Sequence, residues 1–278
     1  MTNRLKTNLS LNVIIQLREI FIQKKWEIEG ESSFDRFCEM LSSLSPEQQE
    51  CVLLLTKEFL RVEFNTYPFH IRKALSCIDS KSLTDVNKIY VMPLCVKSDY
   101  GKQKSSTFVA YGFHDLKSDN LFFDKEVNII STPVGLPKNF NLSSGLLLLV
   151  DDFIGTGETA EGCLRYLVDE IGITLDKILI LALVVQRSGY ERLLSLGVNT
   201  VFSILRGKGI SDGFVDPEKG IISQTMSSIE DMLEFENDIR FGYQGSEALV
   251  KMVRTPNNTF PVYWKTKKAL KFTPPFPR

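Results

Sequence analysis

Apolar positions along the chain change spacing near residue 88, and that change predicts the architecture. From Leu9 to about Trp26, Leu11, Ile14, Ile15, Leu17, Ile20 and Phe21 recur every three or four residues with charges between them, which predicts an amphipathic helix. After an EGESS break, Phe34, Phe37, Cys38 and Leu41 predict a second helix. Ser45-Pro46-Glu47-Gln48 then supplies an N-cap serine, a proline at the first helical position and a capping-box glutamine, opening a third helix expected to run to about Glu63. Tyr67-Pro68 opens a fourth, reaching about Ile78. Beyond this point the apolar residues come in short unbroken runs: KIYVMPLC (88–95), Val127–Ser131, Leu146–Val150, KILILALVVQ (177–186) and VNTVFSIL (198–205). Such runs are the mark of strands buried on both faces of a parallel sheet. Helical spacing returns between them, from Glu158 to about Ile171 and near Tyr190 to Leu196. Alternating strand and helix predicts an α/β class with a parallel sheet flanked by helices. The expected division is a helical N-terminal region, 1–85, and an α/β domain, 86–278. Helix-turn-helix or winged-helix geometry for the first part is conceivable, although acidic residues interleave every helix and disfavour nucleic acid there. Later, a helix is expected near Ser228 to Arg240, and Pro256-Asn257-Asn258 turns the chain to deliver Phe260, Val262, Tyr263 and Trp264 on an extended segment, for packing more than for base stacking.

The stretch GLLLLVDDFIGTGET, Gly145 to Thr159, concentrates the chemistry. Asp151 and Asp152 follow a buried strand at its carboxyl end, where open α/β sheets bind their ligands. Gly155 and Gly157 permit a tight loop with positive φ, Thr156 and Thr159 add hydroxyls, and Glu158 opens a helix. Backbone N–H groups at that helix start suit a phosphate, while paired carboxylates suit vicinal ribose hydroxyls or Mg²⁺ held through water. Together they imply a sugar carrying a 5-phosphate. A bare DD or a bare TGxT would be read as a polar turn with no ligand.

A second anion site is expected after the first core strand, in SDYGKQKSS. Lys102 and Lys104 precede Ser105 and Ser106, which open a helix, although the spacing fails the P-loop pattern. The competing reading is a solvated lysine-rich turn with a serine N-cap. Residues 112–144 form a long polar stretch of the kind that makes lids, with His114, Asp115 and Lys117 as polar candidates. Both histidines, His70 and His114, are read as surface residues.

Composition narrows the class. A chain of 278 residues with 43% hydrophobic content can bury a full core, and a net charge of −1 gives no global pull towards nucleic acid or anionic membrane. Locally, Lys265, Lys267, Lys268, Lys271 and Arg278 follow Trp264 with no acid among them, which suits either a nucleic-acid backbone or solubility. Cys38, Cys51, Cys77, Cys95 and Cys163 lack CxxC spacing and are expected as free thiols. With no signal-peptide core and no run of membrane-spanning length, a cytoplasmic location is expected.

LLLLVDDFIGTGET resembles the phosphoribosyl-diphosphate (PRPP) motif of type I phosphoribosyltransferases. Asp151, Asp152, Thr156, Gly157 and Thr159 match position by position; Phe153 and Gly155 depart from the usual residues. The resemblance implies that the two acids hold the ribose hydroxyls and that the loop Gly155–Thr159 wraps the 5-phosphate. It also implies that the Lys102–Ser106 segment meets pyrophosphate, that Mg²⁺ is bound through PRPP, and that residues 112–144 close over the reaction centre. The helical N-terminal segments, the GKxKSS loop, GSEALV and TPNNTxPxxW further resemble phosphoribosyltransferase-like proteins of bacterial conflict (antiviral defence) systems, some of which accompany retron reverse transcriptases. Three functions stay open at this point: transfer of ribosyl phosphate to or from a base or nucleotide, a catalytically silent PRPP or nucleotide sensor, and a nucleic-acid-binding or self-associating component of a retron-type complex.

Overall fold

The computed structural model describes residues 9–26, 32–116 and 124–278. Two compact units emerge: one is Val62–Arg206, and the other combines the chain up to Arg61 with the chain from Gly207 onward. These units are cut differently from the division expected at residue 85.

In the Val62–Arg206 unit, helix α4 (Tyr67–Leu75) precedes a five-stranded parallel sheet made of β2 (Lys88–Pro93), β3 (Glu126–Ile129), β4 (Gly145–Ile154), β5 (Ile178–Gln186) and β6 (Asn199–Arg206). The spatial order is β3-β2-β4-β5-β6. Helices α5 (Ser105–Leu116), α6 (Glu158–Arg165) and α7 (Arg187–Ser195) connect the strands, and α6 runs on into a wider turn at Tyr166–Glu170. Strand alternation sorts the core into two layers. Leu147, Leu149, Ile178 and Ile180 pack with Ala160, Cys163, Leu164 and Leu193 from α6 and α7. The opposite face is covered by α4, which packs on β5 and β6, and by α5, which packs on β2 and β4. All nine residues of β5 are buried, which is why it reads as an uninterrupted apolar run.

The connection leaving β2 passes through α5 to β3 on one side, whereas that leaving β4 passes through α6 to β5 on the other. The order in which successive strands are added therefore reverses between β2 and β4, and a crevice opens where their carboxyl ends part. The last bond between them is Leu94 N–H to the Val150 carbonyl at 2.8 Å, and the acidic pair follows Val150 directly.

The other unit is built from α1 (Leu11–Lys24), α2 (Ser32–Ser42), α3 (Pro46–Lys57) and α8 (Glu218–Met232), with a short parallel ladder between β1 (Leu60–Arg61) and β7 (Val250–Lys251). The capping box at Ser45 and Gln48 forms as expected. Helix α3 stops short of Glu63 because the chain turns extended to pair with Val250. The late helix also shifts: it spans Glu218–Met232 rather than 228–240, burying Ile222, Met226 and Ile229, and a left-handed Glu234 (φ +51°) follows it. Phe260, Val262, Tyr263 and Trp264 are buried in and beside a single 3-10 turn, Pro261–Tyr263, not on an extended segment. They belong to an aromatic core with Phe21, Phe37, Phe59 and Phe276, in which Tyr263 Oη lies 3.1 Å from Thr56 Oγ1. Within GSEALV, the buried Glu247 carboxylate accepts bonds from Ile210 N (2.9 Å), Ser211 N (2.7 Å) and Ser211 Oγ (2.6 Å), so this motif pins the glycine-rich turn at 207–213. Lys265 and Lys267, from the basic tail, pair with Glu236. Among the described residues no helix is long and apolar enough to cross a membrane.

Candidate functional site

Strand β4 continues through both acids to Ile154, still paired with β5 through Asp151↔Ala182 and Phe153↔Val184. Adjacent strand residues face opposite sides, so the two carboxylates divide their surroundings. Asp152 points towards α4 and α5 and is buried; its Oδ2 accepts from Tyr67 Oη at 3.0 Å and its Oδ1 from Ser105 Oγ at 2.7 Å. Asp151 stays half-buried, and its Oδ1 accepts the Asp152 backbone N–H at 2.9 Å. Burial and the neighbouring Asp152 charge hold Asp151 well above the usual carboxylate range. Asp152 is raised by burial too, with the Ser105, Asp151 and Tyr67 hydrogen bonds pulling it down.

The loop after β4 takes its expected form. Gly157 has φ +79° and stands at the N-cap of α6, a left-handed conformation that side chains rarely adopt. Thr156 is half-buried, whereas Glu158 and Thr159 are exposed in the first turn. N–H groups of that turn have no acceptor inside the helix and carry the positive end of its dipole. Helix α7 braces the loop from below. A Cβ at Gly189 would lie 2.2 Å from the Gly155 carbonyl oxygen, and a Cβ at Gly157 would meet Arg192 Cδ and the Gly189 carbonyl, each at 3.2 Å. Arg192 also reaches Glu161 at 3.4 Å, which ties α7 to α6.

Beside this loop, the segment after β2 places Lys102 and Lys104 as predicted, before α5, which begins at Ser105. Both lysines are held by one carboxylate: Lys102 Nζ is 2.9 Å from Asp99 Oδ1, and Lys104 Nζ is 2.7 Å from Asp99 Oδ2. Hydrogen bonds from the two lysines depress Asp99. Ser106 Oγ is buried in the first turn of α5 and has no hydrogen-bond partner among the described residues. Asp151, Asp152, Ser105 and the lysine segment therefore converge on the β2–β4 crevice, with Gly155–Thr159 continuing from β4.

Tyr67, Asp99, Gly189 and Arg192 were not singled out in the sequence. Tyr67 stood there only as a helix start; nothing local marks its pairing with a carboxylate 85 residues later. Of the polar candidates in 112–144, His114 lies on α5 beside the Tyr111 ring at 5.1 Å, Asp115 is on the same helix, and Lys117 falls outside the described residues. His70 is half-buried and bonds Ser203 Oγ at 2.8 Å; burial and the Lys73 charge lower its basicity. The five cysteines are free, with Cys51, Cys95 and Cys163 buried and Cys77 exposed. Burial pushes the Cys163 thiol up to about 12. Among the described residues, no group of three or more His, Cys, Asp or Glu is arranged to hold a metal ion.

No curated protein matches the chain. Among solved structures, it is similar to the orotate phosphoribosyltransferase of Aeropyrum pernix, with 16% identity, a TM-score of 0.33, and coverage of 62% of this chain and 77% of that one. It is also similar to the AQ2163 protein of Aquifex aeolicus, with 10% identity, a TM-score of 0.31, and coverage of 65% of this chain and 86% of that one. The family model named PRTase-CE matches residues 36–278, and the chain thus belongs to the PRTase-CE family of type I phosphoribosyltransferase-like proteins.

Proposed function

We propose that the chain binds PRPP over the carboxyl ends of β2 and β4 and transfers its ribosyl phosphate to a ring nitrogen of a base, or runs the exchange in reverse on a nucleotide. One observation carries this: the acidic pair follows the last β2–β4 hydrogen bond, at the reversal point of the sheet, and runs without a break into a helix start led by a left-handed Gly157. In this reading Asp151 and Asp152 accept the ribose hydroxyls, the N–H groups and hydroxyls of Gly155–Thr159 hold the 5-phosphate, and Lys102, Lys104, Ser105 and Ser106 receive the diphosphate. In transfer, the bond from the anomeric carbon to the diphosphate oxygen breaks, a carbon–nitrogen bond forms, and the acceptor nitrogen gives up its proton. Asp151 and Asp152, with no third His, Cys, Asp or Glu grouped with them among the described residues, would fit an Mg²⁺ ion held mainly by the substrate phosphates, where it would supply neutralisation of diphosphate charge. The reading extends to a role in antiviral conflict, through the motifs outside the site; phage plating on cells carrying the chain or its D151N/D152N variant tests it, and equal plating sinks it.

A second reading, PRPP sensing without turnover, draws on a specific arrangement: both Asp152 oxygens already accept protein hydroxyls, and both lysines are held by Asp99. Calorimetry with PRPP and Mg²⁺, alongside pyrophosphate release over a panel of bases, separates the two. D151N/D152N should remain folded and lose on the order of 1.5–3 kcal/mol of PRPP binding per charge-assisted bond removed. Release by the intact protein selects transfer, tight binding without release selects sensing, and unaltered affinity in the double variant ends the ribose assignment.

A further inference from the structure

We propose that Asp99 is a built-in competitor for the diphosphate: its carboxylate holds the ammonium groups of Lys102 and Lys104, yields them when a diphosphate binds, and reclaims them when it leaves. The inference rests on the assignment of these lysines to diphosphate above and adds the residue that limits how tightly they retain it. Each carboxylate oxygen takes one ammonium group, Oδ1 at 2.9 Å from Lys102 Nζ and Oδ2 at 2.7 Å from Lys104 Nζ. Two oxygens of a phosphoryl group present the same pair of acceptors, so carboxylate and ligand contend for the same donors. The Asp99 side chain is only 17% exposed, whereas those of Lys102 and Lys104 are 63% and 43% exposed, which leaves the ammonium groups open to a ligand from solvent. Hydrogen bonds from the two lysines hold Asp99 below the usual carboxylate range, so it stays charged at neutral pH.

The segment has other means of keeping its shape, which frees this carboxylate for a role with the ligand. Asp99 N–H bonds the Val96 carbonyl at 2.9 Å, and Lys102 N–H bonds the Asp99 carbonyl at 3.0 Å. Lys97 Nζ reaches Glu170 Oε2 at 2.7 Å, and the Tyr100 ring packs on Tyr166 at 5.9 Å, so the segment is fastened to the wide turn Tyr166–Glu170 on the far side from the lysines in sequence. Between the carboxylate and the lysines stands Gly101, with φ +81° and nothing within 4 Å of where a Cβ would sit, so no packed neighbour stops the lysines from turning away. One carboxylate against two ammonium groups also leaves a residual positive charge for a polyanion. Ser106 Oγ, buried and without a hydrogen-bond partner among the described residues, is a further donor that Asp99 does not satisfy. A diphosphate brings a second phosphoryl group and can cover lysines and hydroxyl together. Compounds without a diphosphate leave the lysine trio intact, so Asp99 weakens only the diphosphate-bearing ligands and eases the departure of pyrophosphate.

The test is calorimetry on the full chain with inorganic pyrophosphate and with ribose 5-phosphate, for the wild type, D99N, K102A/K104A and the triple variant that combines them. D99A stands in where D99N fails to fold, and unfolding of both overturns the proposal by making the carboxylate structural. Freeing the two lysines should raise pyrophosphate affinity about three- to tenfold, the combined effect of two partly exposed ion pairs, while ribose 5-phosphate binds as before. The gain should vanish in the triple variant, because Asp99 has nothing to hold once the lysines are gone. A gain that persists there reduces Asp99 to general charge and overturns the competition. Pyrophosphate affinity unchanged or lowered in folded D99N overturns it as well, since the carboxylate would then be positioning the lysines for the ligand. Strengthened pyrophosphate binding in a chain that does not bind ribose 5-phosphate supports the competition and sinks the PRPP reading instead. Wild type and D99N that both fail to bind pyrophosphate overturn the competition together with the lysine assignment.

Discussion

Replacing Gly189 with alanine probes whether the loop after β4 holds phosphate through its docking on α7. The added Cβ would sit 2.2 Å from the Gly155 carbonyl oxygen and 3.1 Å from Ile154 Cγ2, where ordinary contact begins at 3.4 Å, so the loop must retreat by about an ångström. Two opposing terms set the stability. Alanine favours the helix by about 1 kcal/mol, while overpacking costs about 1–3 kcal/mol, giving a net loss of at most about 2 kcal/mol in a protein that still folds. Function should suffer more, because a displacement of this size at a positioning loop can lower turnover by about 100-fold. Gly172→Ala is the control: that glycine has φ +80° and nothing within 4 Å, so its substitution strains the backbone away from the loop. Thermal unfolding should register both variants at about 1 kcal/mol, whereas calorimetry with ribose 5-phosphate should show lost affinity in G189A alone. A folded G189A that binds ribose 5-phosphate as tightly as the wild type would refute the reasoning.

The lysine segment predicts a ligand-dependent loss. K102A/K104A should weaken pyrophosphate and PRPP more than a nucleoside monophosphate, and equal losses in competition binding would reduce the lysines to general charge. Because burial and Asp152 raise Asp151, a proton competes with the ribose hydroxyls above the usual carboxylate range. Affinity for ribose 5-phosphate should therefore rise with pH through that window more steeply in the wild type than in D151N, and parallel profiles would remove Asp151 from the site. In the other unit, burial raises Glu230 from 4.5 to about 7, so the folded chain holds the extra proton between those values and stability falls as pH rises across them. E230Q should flatten that slope, which amounts to about 3 kcal/mol over the window, in urea melts taken at pH 5 and pH 8.

Sequence pattern carried the sheet because β4 and β5 are buried on both faces, leaving unbroken apolar runs that no amphipathic element produces. The acids and the left-handed Gly157 were legible for the same reason: they are contiguous, so the order strand, acid pair, turn, helix stands in the residues themselves. What failed was non-local. Helix α3 ends before Glu63 because Leu60 pairs with Val250, and nothing within α3 announces that partner. The late helix was placed too far on because Phe235 and Ile239 continue an apolar spacing past the point where Glu234 turns left-handed. The partners of Asp152 come from separate helices, Tyr67 from α4 and Ser105 from α5, so the distribution of its hydrogen bonds appears only once the sheet has assembled.

The unit assembled from both ends of the chain has a consequence for how the molecule is made. Phe37 and Phe59 emerge from a ribosome well before Tyr263 and Phe276, the rings they pack against. Residues 62–206 intervene and have their own core, so that segment can complete its fold while the early helices still wait for their partners. Contacts of such sequence separation are slow to close. A nascent chain arrested after β6 would hold a finished sheet and an orphaned set of aromatic helices, a species that invites chaperone capture until Tyr263 and Phe276 arrive.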